Sequence, residues 1–446
     1  MKTTTRESKP AAVSQTKQAG EARTERWGWV ERAVWTDRML EALDKGVKGG
    51  VWFSLIDKIY RPKVLQAAWQ QVRGKGRAVG SDHQSLEQFE ENLEVNLAKL
   101  EEELRTGSYR PRPIRRTYID KPGSKAKRPL GIPAVRDKVV QTALKMVIEP
   151  IFEREFVATS FGFRPGRGCK DALRRVERLL KAGYRWVVDA DLKSYFETIA
   201  HDRLMEQVQQ RIADSRVLEL IESFLKQQIL EDLKLWTPQT GSPQGAVISP
   251  LLSNIYLHEV DKAVKAAGYE MVRYADDFVI LCKSRAEAEA ALALATKLAQ
   301  ERGLTLHADK TSLVNIDQSG QGFEFLGYRF ENGTRRPCNK SLNKFKNTIR
   351  SKTRRSNGRS MSVIVEDVNK TSKGWFEYFK HSHWTTFKPL DGWIRRRLRT
   401  VLRGYNKGRG ISRGKDNMRW PNQYFRDLGY FSLYDAHRAL LQSSRG

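Results

Sequence analysis

Residues 271–280 read MVRYADDFVI, a run that is apolar and aromatic on both sides of two adjacent aspartates, Asp276 and Asp277. Asp is depleted from β-strands, and an ionised carboxylate is costly to bury without a partner. Asp is common in turns, so the pattern predicts a strand–turn–strand hairpin with both carboxylates at its tip, at the edge of a sheet. An ordinary turn accounts for one of them but leaves a second acidic strand unexplained.

That second strand lies in VVDADLKSYF, residues 187–196. Asp189 and Asp191 are two apart and therefore face the same side of a strand. A calcium loop of the EF-hand type is excluded, because Lys193 and Ser194 stand where it needs an oxygen ligand and a glycine. A purely structural pair is one alternative. If instead Asp191 converges with the hairpin, the carboxylates would hold two divalent ions about 3.5–4 Å apart, the arrangement for in-line phosphoryl displacement.

The charge composition indicates the class of binding partner. The 446 residues contain 80 Lys and Arg against 52 Asp and Glu, a formal net charge of +28 and a pI near 10.0. Such a surplus favours a nucleic-acid partner, since binding to phosphates releases counterions. Mg²⁺ suits an all-oxygen site that borrows ligands from substrate phosphates. Composition and carboxylates together indicate a polynucleotide polymerase or a nuclease.

The cysteines, the apolar runs and the N-terminal segment indicate the cellular compartment. The three cysteines are far apart, which excludes a disulfide framework or zinc ribbon and fits a reducing, cytoplasmic compartment. No apolar run is long enough to span a membrane. Residues 1–30 lack the apolar core of a secretory signal, and their polar composition predicts a disordered basic tail.

Periodicity outlines three regions. Residues 31–108 are helical in pattern, with apolar residues from Leu86 to Leu104 at spacings of three and four. Helices and short strands alternate over residues 109–332, including a hairpin with a basic tip, which predicts an α+β domain with one central sheet. Residues 331–410 carry 21 Lys and Arg against 5 acidic residues and are rich in aromatics, so 333–410 is predicted to be a separate, helical, basic domain.

Six blocks in one order closely resemble reverse transcriptases of the bacterial group II intron class. The palm-like blocks are VVDADLKSYFETI (187–199), SPQGAVISPLLSNIYLHEVD (242–261), YADD (274–277) and FEFLGYRF (323–330). Blocks similar to the fingers are RPLGIPAVRDKVVQTAL (128–144) and SFGFRPGRGCKDAL (160–173). WFSLIDKIY (52–60) resembles the N-terminal extension, and KGWFEYFK with LDGWIRRRLR, between 373 and 399, resembles the maturase or thumb domain.

The resemblance implies a right-hand polymerase fold, with fingers and palm at 109–332, a maturase domain at 333–410 and a C-terminal DNA-binding-like element at 411–446. It implies that two Mg²⁺ ions are bound by Asp191, Asp276 and Asp277, with Asp189 in support. Asp191 is preferred to Asp189 because Phe196, five residues later, then takes the place of the family's steric gate against ribonucleotides. Further implied roles are nucleotide contact by Gln244 and Gly245, triphosphate contact by Lys121 and Arg128, and general-acid catalysis by Lys310.

The implied activity is RNA-directed DNA synthesis combined with splicing of the intron RNA and target-primed retrohoming. Partners would then be the group II intron RNA, a DNA target and primer, and deoxynucleoside triphosphates. RNA contact is expected from Arg395, Arg396, Arg397 and Arg399. No paired Cys and His of an HNH endonuclease follow Cys338, so cleavage of the DNA target by this chain is not expected. Two alternatives stay open: an RNA-binding splicing factor without polymerase activity, and a host reverse transcriptase in repair or immunity.

Overall fold

The computed structural model describes residues 26–74, 78–120, 127–356 and 358–443. Five helices open the chain: α1 (Asp37–Lys45), α2 (Ile56–Ile59), α3 (Pro62–Arg73), α4 (Leu86–Glu91) and α5 (Leu93–Thr106). The periodic run expected as one helix is thus two, divided at Asn92, whose backbone leaves the helical region. The second of these helices ends at Gly107, because that residue adopts a left-handed conformation that terminates helices.

The predicted basic hairpin is present. Strands β1 (Ile114–Asp120) and β2 (Lys127–Ile132) pair antiparallel, and Lys121 lies in the connection, outside the described residues. Strand β1 also pairs in parallel with β4 (Ile229–Glu231), which forms a second hairpin with β5 (Lys234–Trp236). The resulting four-stranded fingers sheet has the order β2-β1-β4-β5. The buried helix α6 (Val135–Glu153) follows β2 in the chain.

The acidic strands belong to a second sheet, entirely antiparallel, in the order β6-β7-β3-β8. Its strands are β3 (Trp186–Asp191), β6 (Glu270–Tyr274), β7 (Asp277–Cys282) and β8 (Ser312–Asn315). Helices α7 (Cys169–Lys181), α11 (Ser249–Ala266) and α12 (Arg285–Glu301) pack against its strands, and α8 (Tyr195–Thr198), α9 (His201–Gln209) and α10 (Ser215–Leu225) lie between β3 and β6 in the chain. Strand β7 is interior, so the aspartates lie at the end of the sheet and not on an edge strand.

A third, three-stranded sheet joins the palm to the basic domain. It comprises β9 (Phe323–Phe325), β10 (Tyr328–Glu331) and β11 (Thr334–Pro337). The basic domain is helical, as predicted, and contains α13 (Asn339–Lys352), α14 (Met361–Phe379), α15 (Phe387–Tyr405), α16 (Gly414–Arg419), α17 (Asn422–Asp427) and α18 (Leu433–Ser443). Three sheets therefore replace the one central sheet expected, because β1, β2, β4 and β5 pair among themselves, as do β9, β10 and β11, and not with the strands that carry the aspartates.

Burial groups the regions differently from the predicted boundaries. One apolar core runs from Trp27 to Leu304, so the N-terminal helices share their core with fingers and palm. A second core contains residues on both sides of position 410, including Phe387, Leu398, Phe425 and Leu433. Asp391 of α15 is buried and accepts hydrogen bonds from Tyr430, Ser432, Leu433 and Tyr434. The 411–446 segment is consequently an integral part of the maturase core as far as it is described, not the separate element that was expected.

Candidate active site and nucleic-acid interface

Strand register brings the carboxylates together. Strands β3 and β7 pair antiparallel so that Asp191 lies directly opposite Asp277, whereas Asp189 lies opposite Val279. Tyr274 and Asp277 close the β6–β7 hairpin, which leaves Ala275 and Asp276 as its two-residue turn. The predicted meeting of the two acidic strands is confirmed.

Burial and mutual repulsion disfavour ionisation at this end of the sheet. Burial, followed by repulsion from Asp189, Asp276 and Asp191, raises the pKa of Asp277 to about 8. The pKa of Asp189 rises to about 6, mainly through burial, and burial also raises the pKa of Asp276. Repulsion of this kind requires that the carboxylates lie close together.

Two cationic side chains approach the cluster. The Lys310 ammonium forms an ion pair with Asp191 Oδ2, and its loop is anchored by a 2.8 Å hydrogen bond from His307 N to Asp191 O. Arg128, exposed on β2, lies close enough to act against the pKa rise of Asp276. Both residues lie beside the carboxylates, and their predicted roles toward the nucleotide stay predictions.

The donor set fits Mg²⁺ in kind, because it consists of oxygens only and has surplus negative charge. In the described part of the chain, no three His, Cys, Asp or Glu side chains form a ready-made group that could hold a metal ion. Asp191 and Asp277 face each other, and Asp276 adjoins them from the turn. Mg²⁺ ordinarily takes one or two protein carboxylates and completes its shell with water and substrate phosphates, which this arrangement permits.

A buried arginine fixes the aspartate turn. Ala275 has a positive φ of 60°, an uncommon conformation for a residue with a side chain. Arg273, only 1% exposed, donates to Ala275 O at 2.8 Å and to Asn254 Oδ1 at 2.9 Å. It also forms a two-point ion pair with Asp261, at 2.7 and 2.5 Å. This network satisfies the buried charge and holds the turn in its strained conformation.

A glycine permits a close backbone approach to the same turn. A Cβ atom on Gly162 would lie 2.2 Å from Ala275 N, so no side chain fits there. The Gly162 carbonyl accepts a 2.9 Å hydrogen bond from Asn254 Nδ2, which links it to the arginine network. The sequence analysis gave no role to Gly162, Asn254 or Arg273, although they lie inside the recognised blocks or directly precede YADD. The signal that could have indicated their role is an Arg in an apolar strand beside two Asp residues.

Phe196 and the loop 240–248 form one wall of a cleft of about 480 Å³. Phe196 is half-buried on α8, with its ring against Tyr195, and its carbonyl accepts a 2.7 Å hydrogen bond from Ser242 N. Gln244 also lines the cleft, and its carbonyl accepts from Gly131 N of β2 at 2.6 Å. Fingers and palm are thus tied together at the residues predicted to contact the nucleotide.

Gly245 is required for this contact. Its φ is 108°, and a Cβ atom there would lie 2.5 Å from Gly131 O. Another side chain would push the loop away from β2 and enlarge the gap between palm and fingers. The structure therefore gives Gly245 a backbone role beside the cleft, whereas its predicted nucleotide contact stays a prediction.

The four predicted RNA-contacting arginines of α15 differ in their surroundings. Arg395, Arg396 and Arg399 line a cleft of about 940 Å³ together with Arg413. Arg397 instead donates to Thr353 Oγ1 and O, at 3.1 and 2.9 Å, at the end of α13.

Arg399 is 6% exposed and bonds Trp420 O and Asn422 Oδ1, both at 2.8 Å, while its guanidinium lies over the Phe425 ring. Two of its donors are thus used inside the basic domain, although Arg399 also lines the same cleft as Arg395 and Arg396, so its contact with RNA stays a prediction.

The arrangement of a carboxylate palm, fingers sheet and basic helical domain defines a nucleic-acid polymerase joined to an RNA-binding domain. Comparison with protein families agrees: residues 119–330 match "Reverse transcriptase (RNA-dependent DNA polymerase)", and residues 342–419 match "Group II intron, maturase-specific domain".

The chain belongs to the group II intron-encoded reverse transcriptases and maturases. It is 37% identical over 316 residues to protein YkfC of Escherichia coli K12, covering 62% of this chain and 82% of YkfC. It is 39% identical over 216 residues to the group II intron-encoded protein LtrA of Lactococcus lactis, covering 48% of this chain but only 35% of LtrA. A chain of a partial Cas6-RT-Cas1–Cas2 complex is 26% identical and superposes with a TM-score of 0.37, over 56% of this chain and 41% of the other.

No helix among the described residues is long and apolar enough to cross a membrane.

Proposed function

We propose that the protein is an RNA-directed DNA polymerase that binds its group II intron RNA as a splicing maturase and copies it during target-primed retrohoming. The observation that carries the proposal is the register of β3 and β7, which sets Asp191 opposite Asp277 beside Lys310. A pure RNA-binding factor would gain nothing from placing Asp191 where it helps to raise the pKa of Asp277. Such unfavourable burial is characteristic of a site built for catalysis.

In this proposal Asp191, Asp276 and Asp277 hold two Mg²⁺ ions. When bound, the metal would supply Lewis-acid stabilisation to the reacting phosphate and lower the pKa of the primer 3′-hydroxyl. Lys310 leaves Asp191 on substrate binding and donates a proton to the departing pyrophosphate. Arg128, and Lys121 in the connection beyond β1, hold the triphosphate, while Gln244 and Gly245 lie beside the incoming nucleotide.

Phe196 is proposed to select deoxynucleotides. Its half-buried ring lines the cleft between α8 and the loop 240–248, where it would clash with a ribose 2′-hydroxyl. Packing against Tyr195 fixes the ring, and a fixed obstacle discriminates better than a mobile one.

The nucleic-acid partners follow from charge and family. The maturase match and the cleft lined by Arg395 and Arg396 support binding of intron RNA, and reverse transcription requires a DNA primer and deoxynucleoside triphosphates. We place this reaction in the bacterial cytoplasm, at the nucleoid where the DNA target lies.

Primer extension on an RNA template, with Mg²⁺ and deoxynucleotides, tests the proposal. The unsubstituted protein should extend the primer and Asp276→Ala should not, whereas both should bind intron RNA equally. If both proteins are inactive while RNA binding and intron splicing persist, the polymerase proposal is wrong and the chain is a splicing factor.

Substitution of the gate gives a second test of the same site. Phe196→Ala should raise ribonucleotide incorporation relative to deoxynucleotide incorporation by about tenfold to a hundredfold, because loss of a steric clash is worth a few kcal/mol. Competition between dTTP and UTP on a poly(rA) template measures the ratio. Unchanged sugar selectivity would remove Phe196 from the proposed site.

A further inference from the structure

Phe163, in the loop between α6 and α7, is an exposed aromatic residue in a strained backbone conformation. Its φ is 60°, in the left-handed region that bulky residues rarely adopt. Its side chain is 45% exposed, and Phe163 is not part of any apolar core of the described residues. Burial of the ring therefore does not compensate the cost of this conformation, which the neighbouring residues must maintain.

The loop runs parallel to the edge strand β6 and reaches the aspartate turn. Ser160 forms a parallel bridge with Arg273 of β6, and Phe161 N donates to Arg273 O at 2.9 Å. One residue further along both segments, Gly162 lies beside Ala275, because a Cβ atom on Gly162 would be 2.2 Å from Ala275 N. The next residue of the loop therefore lies at the end of the palm sheet that carries the proposed metal ligands.

Contacts on both sides of Phe163 fix its backbone. The Gly162 carbonyl accepts a 2.9 Å hydrogen bond from Asn254 Nδ2 of α11. On the other side, Arg164 is 6% exposed and donates to Glu153 Oε2 at 2.9 Å and to Oε1 at 2.6 Å. Neither contact uses the Phe163 side chain. The fold thus holds the backbone in place and leaves the ring partly exposed beside the aspartate turn.

The chemistry of this position suits the end of a nucleic-acid duplex. In the proposed reaction the primer 3′ end lies at the carboxylates, so the last base pair of the primer–template duplex lies beside this loop. A phenylalanine ring binds neither phosphate nor a metal ion, which leaves bases and sugars as its partners. Aromatic side chains stack on bases of every kind, and a polymerase that copies any sequence needs such tolerance.

We propose that Phe163 contacts the terminal base pair of the primer–template duplex and positions the primer 3′ end for nucleotide addition, a role that rests on the proposed polymerase function. The strained conformation is then retained because it holds the ring beside the catalytic turn. The competing view is that Phe163 is an ordinary surface residue. That view predicts no difference between matched and mismatched primer ends when the ring is removed.

Phe163→Ala tests the proposal with primers that differ only in their last base. Single-turnover extension from a matched 3′ end on an RNA template should become about tenfold slower, the effect of one lost base–aromatic contact. A mismatched end is already displaced, so extension from it should slow by less than about twofold. The ratio of the two rates should therefore fall, and a smaller fraction of folded protein cannot change that ratio.

Two variants serve as controls. Phe163→Tyr keeps the ring and should retain the matched rate to within about twofold. Leu233→Ala is the matched control, because Leu233 also has a positive φ, 68°, and is 96% exposed at the tip of the β4–β5 hairpin. Its rates and their ratio should not change. The proposal is overturned by an equal loss at both primer ends or no loss in Phe163→Ala, by a slow Phe163→Tyr, or by the same selective loss in Leu233→Ala.

Folding and the proposed function are tested separately. If Phe163→Ala does not fold, Phe163→Gly replaces it, because Gly adopts a φ of 60° without strain. The same selective loss is expected there, and its absence overturns the proposal.

A cross-linking experiment does not require extension. A primer that ends in 5-iododeoxyuridine, paired with an RNA template and irradiated with the unsubstituted protein, should cross-link to Phe163, as peptide mass spectrometry would show. If this protein extends no primer, the polymerase proposal is wrong, and the cross-link alone decides the role of Phe163. Cross-linking only to other residues would overturn its contact with the primer end.

Discussion

The palm carboxylates and the arginines of α15 are two clusters of like charge that the fold treats in opposite ways. Asp191 and Asp277 stand on paired strands, which present them to each other and leave their oxygens without a full set of partners. Arg397 and Arg399 are on a helix that turns about 100° per residue, so neighbouring arginines point in different directions. These two inward arginines are held on different sides of α15, Arg397 by Thr353 and Arg399 by Trp420.

The difference teaches that a row of charges is informative only with its local geometry. Strand pairing concentrates charge at one end of the sheet, at a cost in stability, because the neighbouring groups in the described part of the chain do not neutralise it fully. A helix distributes charge, and burial converts part of it into structural hydrogen bonds. The two clusters should therefore respond in opposite ways to substitution: the aspartates in activity, the inward arginines in stability.

The largest expected effect comes from comparing substitutions of Asp191 and Asp189, two residues on the same strand face. Asp191→Asn should lower the rate of primer extension by about 10²–10³, because the group opposite Asp277 loses its charge. Asp189→Asn should lose less than about tenfold, since it lies opposite Val279. Single-turnover extension measures both rates. A larger loss for Asp189→Asn would reverse the assignment of the metal ligand.

The next effect concerns the support of the aspartate turn. Gly162→Ala should lower kcat by about a hundredfold, because a Cβ atom there would lie 2.2 Å from Ala275 N and must displace the turn. Gly168→Ala, in the same loop, is the control: its Cβ would meet only Asp171 Oδ2 at 3.8 Å. Steady-state extension and thermal unfolding should show an active, stable Gly168→Ala and an impaired Gly162→Ala. Equal activity of the two would show that the turn tolerates displacement.

Part of the fold and of the site could be predicted from the sequence. The hairpin, the convergence of Asp191 with Asp277 and the proximity of Arg128 and Lys310 follow from strand alternation and the recognised blocks. The ion pair of Arg273 with Asp261 and the hydrogen bond from the Tyr378 hydroxyl to Leu326 O could not be predicted in this way. They depend on tertiary packing between residues that are 12 and 52 positions apart. The split of the arginine row required knowledge of which face of α15 the C-terminal helices cover.

The arginine row provides a smaller, complementary test. Arg399→Ala should lower the free energy of unfolding by about 2–4 kcal/mol, because it leaves buried acceptors without their charged donor. Arg396→Ala should leave stability unchanged, weaken RNA binding severalfold and reduce the salt dependence of binding by about one counterion. Chemical denaturation and RNA titration at several salt concentrations measure these quantities. An unchanged RNA affinity in Arg396→Ala would remove the cleft from the RNA interface.

The smallest expected effect is a gain of stability when Asp277, a proposed catalytic carboxylate, is removed. The pKa of Asp277 is about 8 in the folded protein against an ordinary value of 3.8, so the folded state holds this proton more tightly than the unfolded chain. The stability that this proton contributes is complete below pH 3.8 and is lost as the pH rises to about 8.

Asp277→Asn removes this loss, so in metal-free buffer it should be more stable than the original by about 1–3 kcal/mol at pH 8, with little difference at pH 4. Urea unfolding in the presence of a chelator measures both. A variant that is less stable at pH 8 would mean that Lys310 and Arg128 already compensate the charge of the cluster. The carboxylates would then resemble the inward arginines, as charges that the fold itself satisfies.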